Sequence, residues 1–122
     1  MRKIRIMLAS RPKMISDIIR NIITHQLDMT IVGEVADPIS LLYTLKETSV
    51  DVVIMTPIKV NGEPKICSHL LAKYPSLIIV ALGDNNGIAY LYRTGAPKLC
   101  IEDPSSQSII IAIREALLSI TE

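Results

Sequence analysis

The sequence predicts a doubly wound α/β fold, in which helices cover both faces of a parallel five-stranded sheet. Two hydrophobic patterns alternate along the 122 residues: short apolar runs, typical of buried strands, and stretches with apolar residues three and four positions apart, typical of amphipathic helices. Five strand–helix units follow one another without a linker or a repeat, and strict alternation of this kind produces a parallel sheet. We therefore expect residues 1–122 to form a single domain.

The first two units have the clearest patterns. Residues 4–9 form an apolar run and predict a strand, whereas residues 12–27 place five isoleucines on one face of a helix. Residues 30–36 predict a second strand. The Asp37-Pro38 pair that follows is typical of a helix N-cap with proline at the first helical position, so we expect a second helix to begin there.

The middle of the chain repeats this alternation. Residues 51–56 are almost continuously apolar, as expected of a strand covered on both faces. Residues 57–64 contain two prolines and an Asn-Gly pair and predict a loop. A helix over residues 65–73 and a fourth buried strand over residues 77–82 follow.

The C-terminal units are shorter. Residues 86–94 predict a short fourth helix, and residues 98–101 predict a fifth strand. A second cap-plus-proline pair, Asp103-Pro104, then opens a last helix that we expect to run to about residue 120.

The composition favours a cytoplasmic protein with an aliphatic core. The chain contains 21 Ile and four Tyr but no Phe and no Trp. No apolar run is long enough to cross a membrane. The two cysteines, Cys67 and Cys100, are too few for a disulfide scaffold, and we expect both to be small, reduced residues of the core.

The charge distribution gives a weak indication of nucleic-acid binding. Residues 1–27 carry a net charge of +5, although the whole chain carries only +1. A basic N-terminal face attracts acidic partners. The small overall charge and the scarcity of aromatic side chains argue against this hypothesis, and a solvated helix face is the simpler explanation.

The ends of the predicted strands are where a binding site is expected, because ligands of doubly wound sheets lie beyond the carboxyl ends of the strands. The residues at these positions are Ala9, Ser10, Thr56, Leu82, Gly83 and Glu102. This set contains no glycine-rich phosphate cradle, no pair of acids suited to Mg²⁺, and no nucleophile with a neighbouring base. We therefore expect neither an enzyme nor a resident metal or cofactor.

Six segments occur in an order and at a spacing that point to one family. They are Ile4-Arg5-Ile6-Met7-Leu8, Ile31-Val32-Gly33-Glu34-Val35-Ala36-Asp37, Asp51-Val52-Val53-Ile54-Met55, Tyr74-Pro75, Gly95-Ala96 and Ala112-Ile113-Arg114. Together they resemble the receiver domain of two-component response regulators, especially the subgroup with a helix-turn-helix output domain. The resemblance covers residues 3–120. It implies a flavodoxin-like topology with strand order 2-1-3-4-5 and five helices.

The resemblance also locates the family's phosphorylation site, and this sequence departs from it at each position. Ala9 and Ser10 stand where two acids hold Mg²⁺, and Thr56 stands where the phosphoacceptor aspartate ends the third strand. Leu82 replaces a hydroxyl residue, and Glu102 replaces the lysine that pairs with the phosphoryl oxygens. These substitutions predict a pseudo-receiver that cannot be phosphorylated in the family's usual way.

A receiver of this kind is expected to act through its surface. The family's switch aromatic corresponds to Leu99. Tyr90 and Tyr92, in the predicted fourth helix, and Ile111 and Leu118, in the last helix, are candidate interface residues. They predict a homodimer, or contact with another protein, through the fourth helix, fifth strand and fifth helix.

The leading hypothesis is a module of two-component signalling and transcription regulation that acts by phosphorylation-independent protein–protein interaction. The resemblance is compatible with an N-terminal part of a longer regulator, with a DNA-binding output domain elsewhere in the full-length chain. The alternative is a small-molecule sensor that uses the cleft left by the missing acids and lysine.

Overall fold

The computed structural model describes residues 3–9, 13–35, 38–55, 65–82, 88–95, 99–102 and 106–121. In these ranges the chain forms six strands and four helices. The strands are β1 (Ile4–Ala9), β2 (Met29–Glu34), β3 (Val52–Met55), β4 (Ile78–Leu82), β5 (Ile88–Tyr92) and β6 (Leu99–Glu102). The helices are α1 (Lys13–Thr24), α2 (Pro38–Glu47), α3 (Lys65–Lys73) and α4 (Ser106–Thr121).

One sheet contains all six strands, in the order β2-β1-β3-β4-β5-β6. The first four strands are parallel to one another, and β5 is antiparallel to both of its neighbours, β4 and β6. The predicted α/β class and the arrangement of the first four strands are confirmed. The entirely parallel five-stranded sheet is wrong in its C-terminal half, where an additional strand enters.

The predicted fourth helix over residues 86–94 is wrong, because this segment contains strand β5. Its side chains alternate in the period of a strand: Ala89 and Leu91 are buried on one face of the sheet, and Tyr90 and Tyr92 lie on the other. Aromatic and β-branched residues at this spacing favour a strand over a helix. The strand ends shortly before Gly95, whose φ of 81° turns the chain out of extended geometry.

The core has two halves, one on each face of the sheet. On one face, Ile23 of α1 and Ile113 of α4 pack against side chains such as Leu8 and Val80. On the other face, Leu45 of α2 and Leu70 of α3 pack against the opposite row of strand residues. Strands β1, β3 and β4 are therefore covered on both faces, as their continuous apolar sequences predict. No helix in the described ranges is long and apolar enough to span a membrane.

A charged clamp ties α4 to the connection between α1 and β2. The Arg114 guanidinium donates hydrogen bonds to both carboxylate oxygens of Asp28, from Nε to Oδ2 at 2.9 Å and from Nη2 to Oδ1 at 2.8 Å. It also donates to Oε1 of Gln26 at 2.8 Å. The hydrogen bonds that Asp28 accepts from Arg114, more than the charge of Arg114 itself, hold the pKa of Asp28 below its usual value.

Replacing Asp28 by asparagine is expected to lower the free energy of unfolding by about 1 kcal/mol at pH 7. The effect is modest because both side chains of the pair are partly exposed to solvent. Since folding lowers the pKa of Asp28, its contribution is present above the unfolded pKa of about 3.9 and is lost as the pH falls through the folded value.

Urea denaturation at a series of pH values tests this prediction. The stability difference between the wild type and Asp28→Asn should shrink as the pH falls below about 4. Glu115→Gln removes an exposed carboxylate beside Arg114 and serves as the matched control, with no expected loss at any pH. Equal stability of Asp28→Asn and the wild type at pH 7 would show that the clamp contributes nothing.

Candidate functional site

The carboxyl ends of five strands, β2, β1, β3, β4 and β6, lie along one edge of the sheet. Strands β1, β3 and β4 are parallel, and β6 runs in the same direction as β4 because it is separated from β4 by one antiparallel strand. Ala9 is paired with Met55, and Met55 is paired with Ala81. The last residues of β1 and β3 therefore lie beside the next-to-last residue of β4, and this edge is the candidate site.

Glu102 is at the same edge but farther along it. Strand β5 lies between β4 and β6, with Ala89 paired to Leu82 on one side and to Ile101 on the other. Neighbouring strands are about 4.8 Å apart, so the backbone of Glu102 is about 10 Å from β4 across the sheet. In the expected order 2-1-3-4-5, the last strand would be in direct contact with β4. The structure thus separates Glu102 from the other strand ends by one strand.

The side chains described at the centre of this edge are apolar. Ala9 is buried, and Leu82 is half-buried and packs against the core on the α1 and α4 face. Ser10, Thr56 and Gly83 lie outside the described residues. Neither Ala9 nor Leu82 carries a group that could bind a metal ion or a phosphoryl oxygen.

An acid that the sequence analysis missed lies at this edge, at the end of β2. Glu34 is paired in register with Leu8, and its carboxylate forms an ion pair with the Arg20 guanidinium of α1. The predicted strand runs to residue 36, whereas β2 ends at Glu34, so the sequence does not mark this acid as the end of a strand. Within the described ranges, no three His, Cys, Asp or Glu side chains come close enough together to hold a metal ion.

The candidate interface residues are divided between two elements. Tyr90 and Tyr92 belong to β5 instead of a helix; both are half-buried, and their ring centroids are 6.4 Å apart. Tyr92 packs against the core on the α2 and α3 face. Ile111 on α4 is 51% exposed, whereas the side chain of Leu118, on the same helix, lies outside the description.

Two residues of the last strand of the sheet, β6, are exposed among the three whose side chains are described. Leu99, at the position of the family's switch aromatic, is 50% exposed. Cys100 is a free, exposed thiol, so the expectation of a buried core cysteine is wrong for this residue. Its side chain lies on the same face as Tyr90, at the end of the sheet beyond β4. The side chain of Cys67 lies outside the described residues.

Comparison with known proteins gives a consistent result. No family model matches the chain. The transcriptional regulatory protein YxjL of Bacillus subtilis (strain 168) is 28% identical over 123 aligned residues, which include 93% of this chain and 54% of that protein. The chain therefore spans about half the length of the curated relative it matches.

Solved structures of a response regulator have a fold similar to that of the chain. A structure of RcsB from Salmonella typhimurium superposes with a TM-score of 0.62 at 22% identity, covering 70% of this chain and 44% of RcsB. RcsB from Salmonella enterica serovar Typhimurium bound to a promoter gives a TM-score of 0.59 at 22% identity, with 70% and 43% coverage.

The chain therefore has the fold of the part of the RcsB response regulator that it covers. Its sequence is similar, more particularly, to that of a transcriptional regulatory protein.

Proposed function

We propose that this chain is a receiver domain of a transcription regulator and acts by protein–protein interaction without being phosphorylated. One observation carries the proposal: β5 lies between β4 and β6 and separates Glu102 from the other strand ends. The apolar side chains of Ala9 and Leu82 at the centre of the edge support it.

The chemistry of phosphoryl transfer explains why this arrangement matters. The transition state spreads negative charge over the phosphoryl oxygens, so catalysis depends on a metal ion and fixed cations placed around an in-line acceptor. At this edge Ala9 supplies no metal ligand, Leu82 supplies no hydroxyl, and the last strand brings an acid in place of a cation. A threonine such as Thr56 is also a poorer nucleophile at neutral pH than a carboxylate.

The proposed partners of the chain follow from the proteins that it resembles. YxjL is named as a transcriptional regulatory protein, and one RcsB structure contains promoter DNA. We therefore place a DNA-binding output domain elsewhere in the full-length chain, and the protein in the cytoplasm. The surface formed by β5, β6 and α4, which exposes Leu99 and Ile111, is the proposed contact with a second copy or another protein.

The experiment that tests phosphorylation independence is an amide NMR titration. The spectrum of the labelled domain is recorded with Mg²⁺ alone and with Mg²⁺ and beryllofluoride, which mimics a bound phosphoryl group. We expect no shift in either case, because the side chains described at the centre of the edge, those of Ala9, Met55 and Leu82, supply neither a carboxylate ligand for the metal nor a cation for the mimic. A receiver domain with an intact acidic site, measured in the same buffer, is the positive control.

Shifts in response to beryllofluoride, confined to residues near Thr56, Leu82 and Glu102, would contradict the proposal. They would mean that a phosphoryl site survives at this edge in a different arrangement. Shifts spread over the surface of β6 and α4 that depend on protein concentration would instead report self-association, and a dilution series separates the two.

A further inference from the structure

An open pocket lies at the edge of the sheet opposite to the candidate site. It has a volume of about 370 Å³ and lies where the chain leaves α2 and α3 and enters β3 and β4. Small organic molecules bind in pockets of about 300–1,000 Å³ that combine an apolar surface with a few polar groups. This pocket has both parts.

The apolar part is the floor of the pocket, formed by Leu45, Val50 and Leu77. Leu45 and Leu77 are buried, and half-buried Val50 packs against the same core on the α2 and α3 face. An aliphatic group placed on this floor is removed from water, which favours its binding.

The polar groups of the pocket are unpartnered within the part of the chain that the structure describes. They are the hydroxyls of Thr48, Ser49 and Ser76 and the ammonium group of Lys73, and none of these side chains makes a hydrogen bond or an ion pair there. Hydroxyl and ammonium groups can all donate hydrogen bonds to an anion. Lys73 is the charged group among the described lining residues, none of which is an acid.

Hydrogen bonds of the chain hold two walls of the pocket in place. On one side, Pro75 lies in a turn that is closed by a hydrogen bond of 3.0 Å from the Leu77 N–H to the Tyr74 carbonyl. On the other side, the Arg5 guanidinium donates from Nε to the Ser49 carbonyl at 2.7 Å. The walls are therefore formed before a ligand arrives, which lowers the cost of binding.

The charges around the pocket favour a singly charged anion over a doubly charged one. Lys73 lines the pocket and Arg5 lies behind Ser49, so two cations are close to it. The carboxyl ends of α2 and α3 meet here, however, and each carries roughly half a negative charge. The acids nearby are Glu47, the last residue of α2, and Asp51, whose Oδ2 accepts a hydrogen bond of 3.0 Å from the Arg5 N–H.

We propose that this pocket binds a short aliphatic carboxylate. The carboxylate group accepts hydrogen bonds from Lys73 and the neighbouring hydroxyls, and the aliphatic body lies on the floor. The inference goes beyond the proposed function and does not depend on it, because the pocket and the strand ends are at opposite edges of the sheet. A site of this kind would give a domain that is not phosphorylated a chemical signal to respond to.

Isovalerate is the first probe, because it joins one carboxylate to a branched aliphatic chain. In amide NMR spectra of the labelled domain we expect shifts at residues 45–50 and 73–77, with a dissociation constant of about 1 mM. Isovaleramide has the same shape without the charge, and inorganic phosphate has charge without the aliphatic body. Each is expected to bind about ten times more weakly than isovalerate.

Lys73→Gln removes the cation of the pocket and keeps a long polar side chain. We expect the dissociation constant for isovalerate to rise about tenfold. Lys46→Gln is the matched control and should leave it unchanged, because Lys46 is also an exposed lysine in the last turn of its helix but does not line the pocket.

Ser76→Leu is a second variant, which fills the pocket from an exposed position of the turn and leaves the core intact. It should abolish the isovalerate shifts while the urea midpoint stays that of the wild type. Retention of isovalerate binding in Ser76→Leu would overturn the inference.

Three further results would also overturn it. One is the absence of shifts at residues 45–50 and 73–77 up to about 20 mM isovalerate at constant ionic strength. Another is binding of isovaleramide or phosphate as tight as that of isovalerate, and the third is an equal effect of Lys73→Gln and Lys46→Gln. None of these results bears on phosphorylation independence, which the beryllofluoride titration decides at the other edge of the sheet.

Discussion

Replacing Ile113 by alanine is expected to lower the free energy of unfolding by about 2–4 kcal/mol. Ile113 has no solvent exposure and belongs to the core between α4 and the sheet. The substitution removes three carbon atoms from a packed interior, which loses their transfer free energy and leaves a cavity. Denaturation in urea measures the loss, and an unchanged slope would show that the compactness of the unfolded state has not altered.

Ile111, two residues earlier on the same helix, provides the matched control. It is the same residue type with the same helix propensity, but 51% of it is exposed. Ile111→Ala is therefore expected to change stability by no more than about 0.5 kcal/mol. Equal losses from the two substitutions would mean that α4 packs on the sheet through a different face, and Ile111 would then not be available to a partner.

The sequence is a good guide to the first four strands and to all four helices of the described ranges. Residues 65–73 predict α3 with its observed limits, and the continuous apolar run at residues 51–56 predicts a strand covered on both faces, as β3 is. These elements were predictable because their patterns are long or extreme. A buried strand has few polar positions, and a helix of nine residues repeats its apolar face at least twice.

The segment over residues 86–94 was predicted wrongly for two reasons. It is short, and a run of Ile, Ala, Tyr and Leu is compatible with either a strand or a buried helix. Strict alternation of strands and helices along the rest of the chain favours a helix for this segment. Buried Ala89 and Leu91 alternate with Tyr90 and Tyr92. This alternation identifies the segment as a strand only when its neighbouring strand on each side is known.

The candidate site depends on the same segment. The sequence places Ala9, Leu82 and Glu102 at strand ends, and the structure agrees for all three. Sequence reasoning could not place Glu102 one strand farther from the others, because that distance follows from the pairing of β5 with both β4 and β6. The exposure of Cys100 has the same origin, since it reflects the position of β6 at the end of the sheet.

Two proline substitutions in and after β5 test this part of the fold directly, because a strand and a helix predict opposite results. Ala89 lies inside a strand that has a neighbour on each side, so its N–H points towards one of two paired strands. Ala89→Pro is expected to destabilise the domain by about 3 kcal/mol or more, since proline removes the donor and does not fit an interior strand. Thr94 lies in the turn that follows, immediately before Gly95 with its positive φ.

Thr94→Pro is expected to change stability by less than about 1 kcal/mol, because proline suits the position before a glycine of positive φ in a turn. It removes only a long hydrogen bond of 3.4 Å from the Thr94 hydroxyl to the carbonyl of Leu71. A helix over residues 86–94 would reverse the order: Ala89 would be in its first turn, where proline is tolerated, and Thr94 in its last, where proline costs about 3 kcal/mol. The urea midpoints of the two variants therefore decide between a strand and a helix. A larger loss of stability from Thr94→Pro than from Ala89→Pro would contradict strand β5 and, with it, the separation of Glu102 from β4.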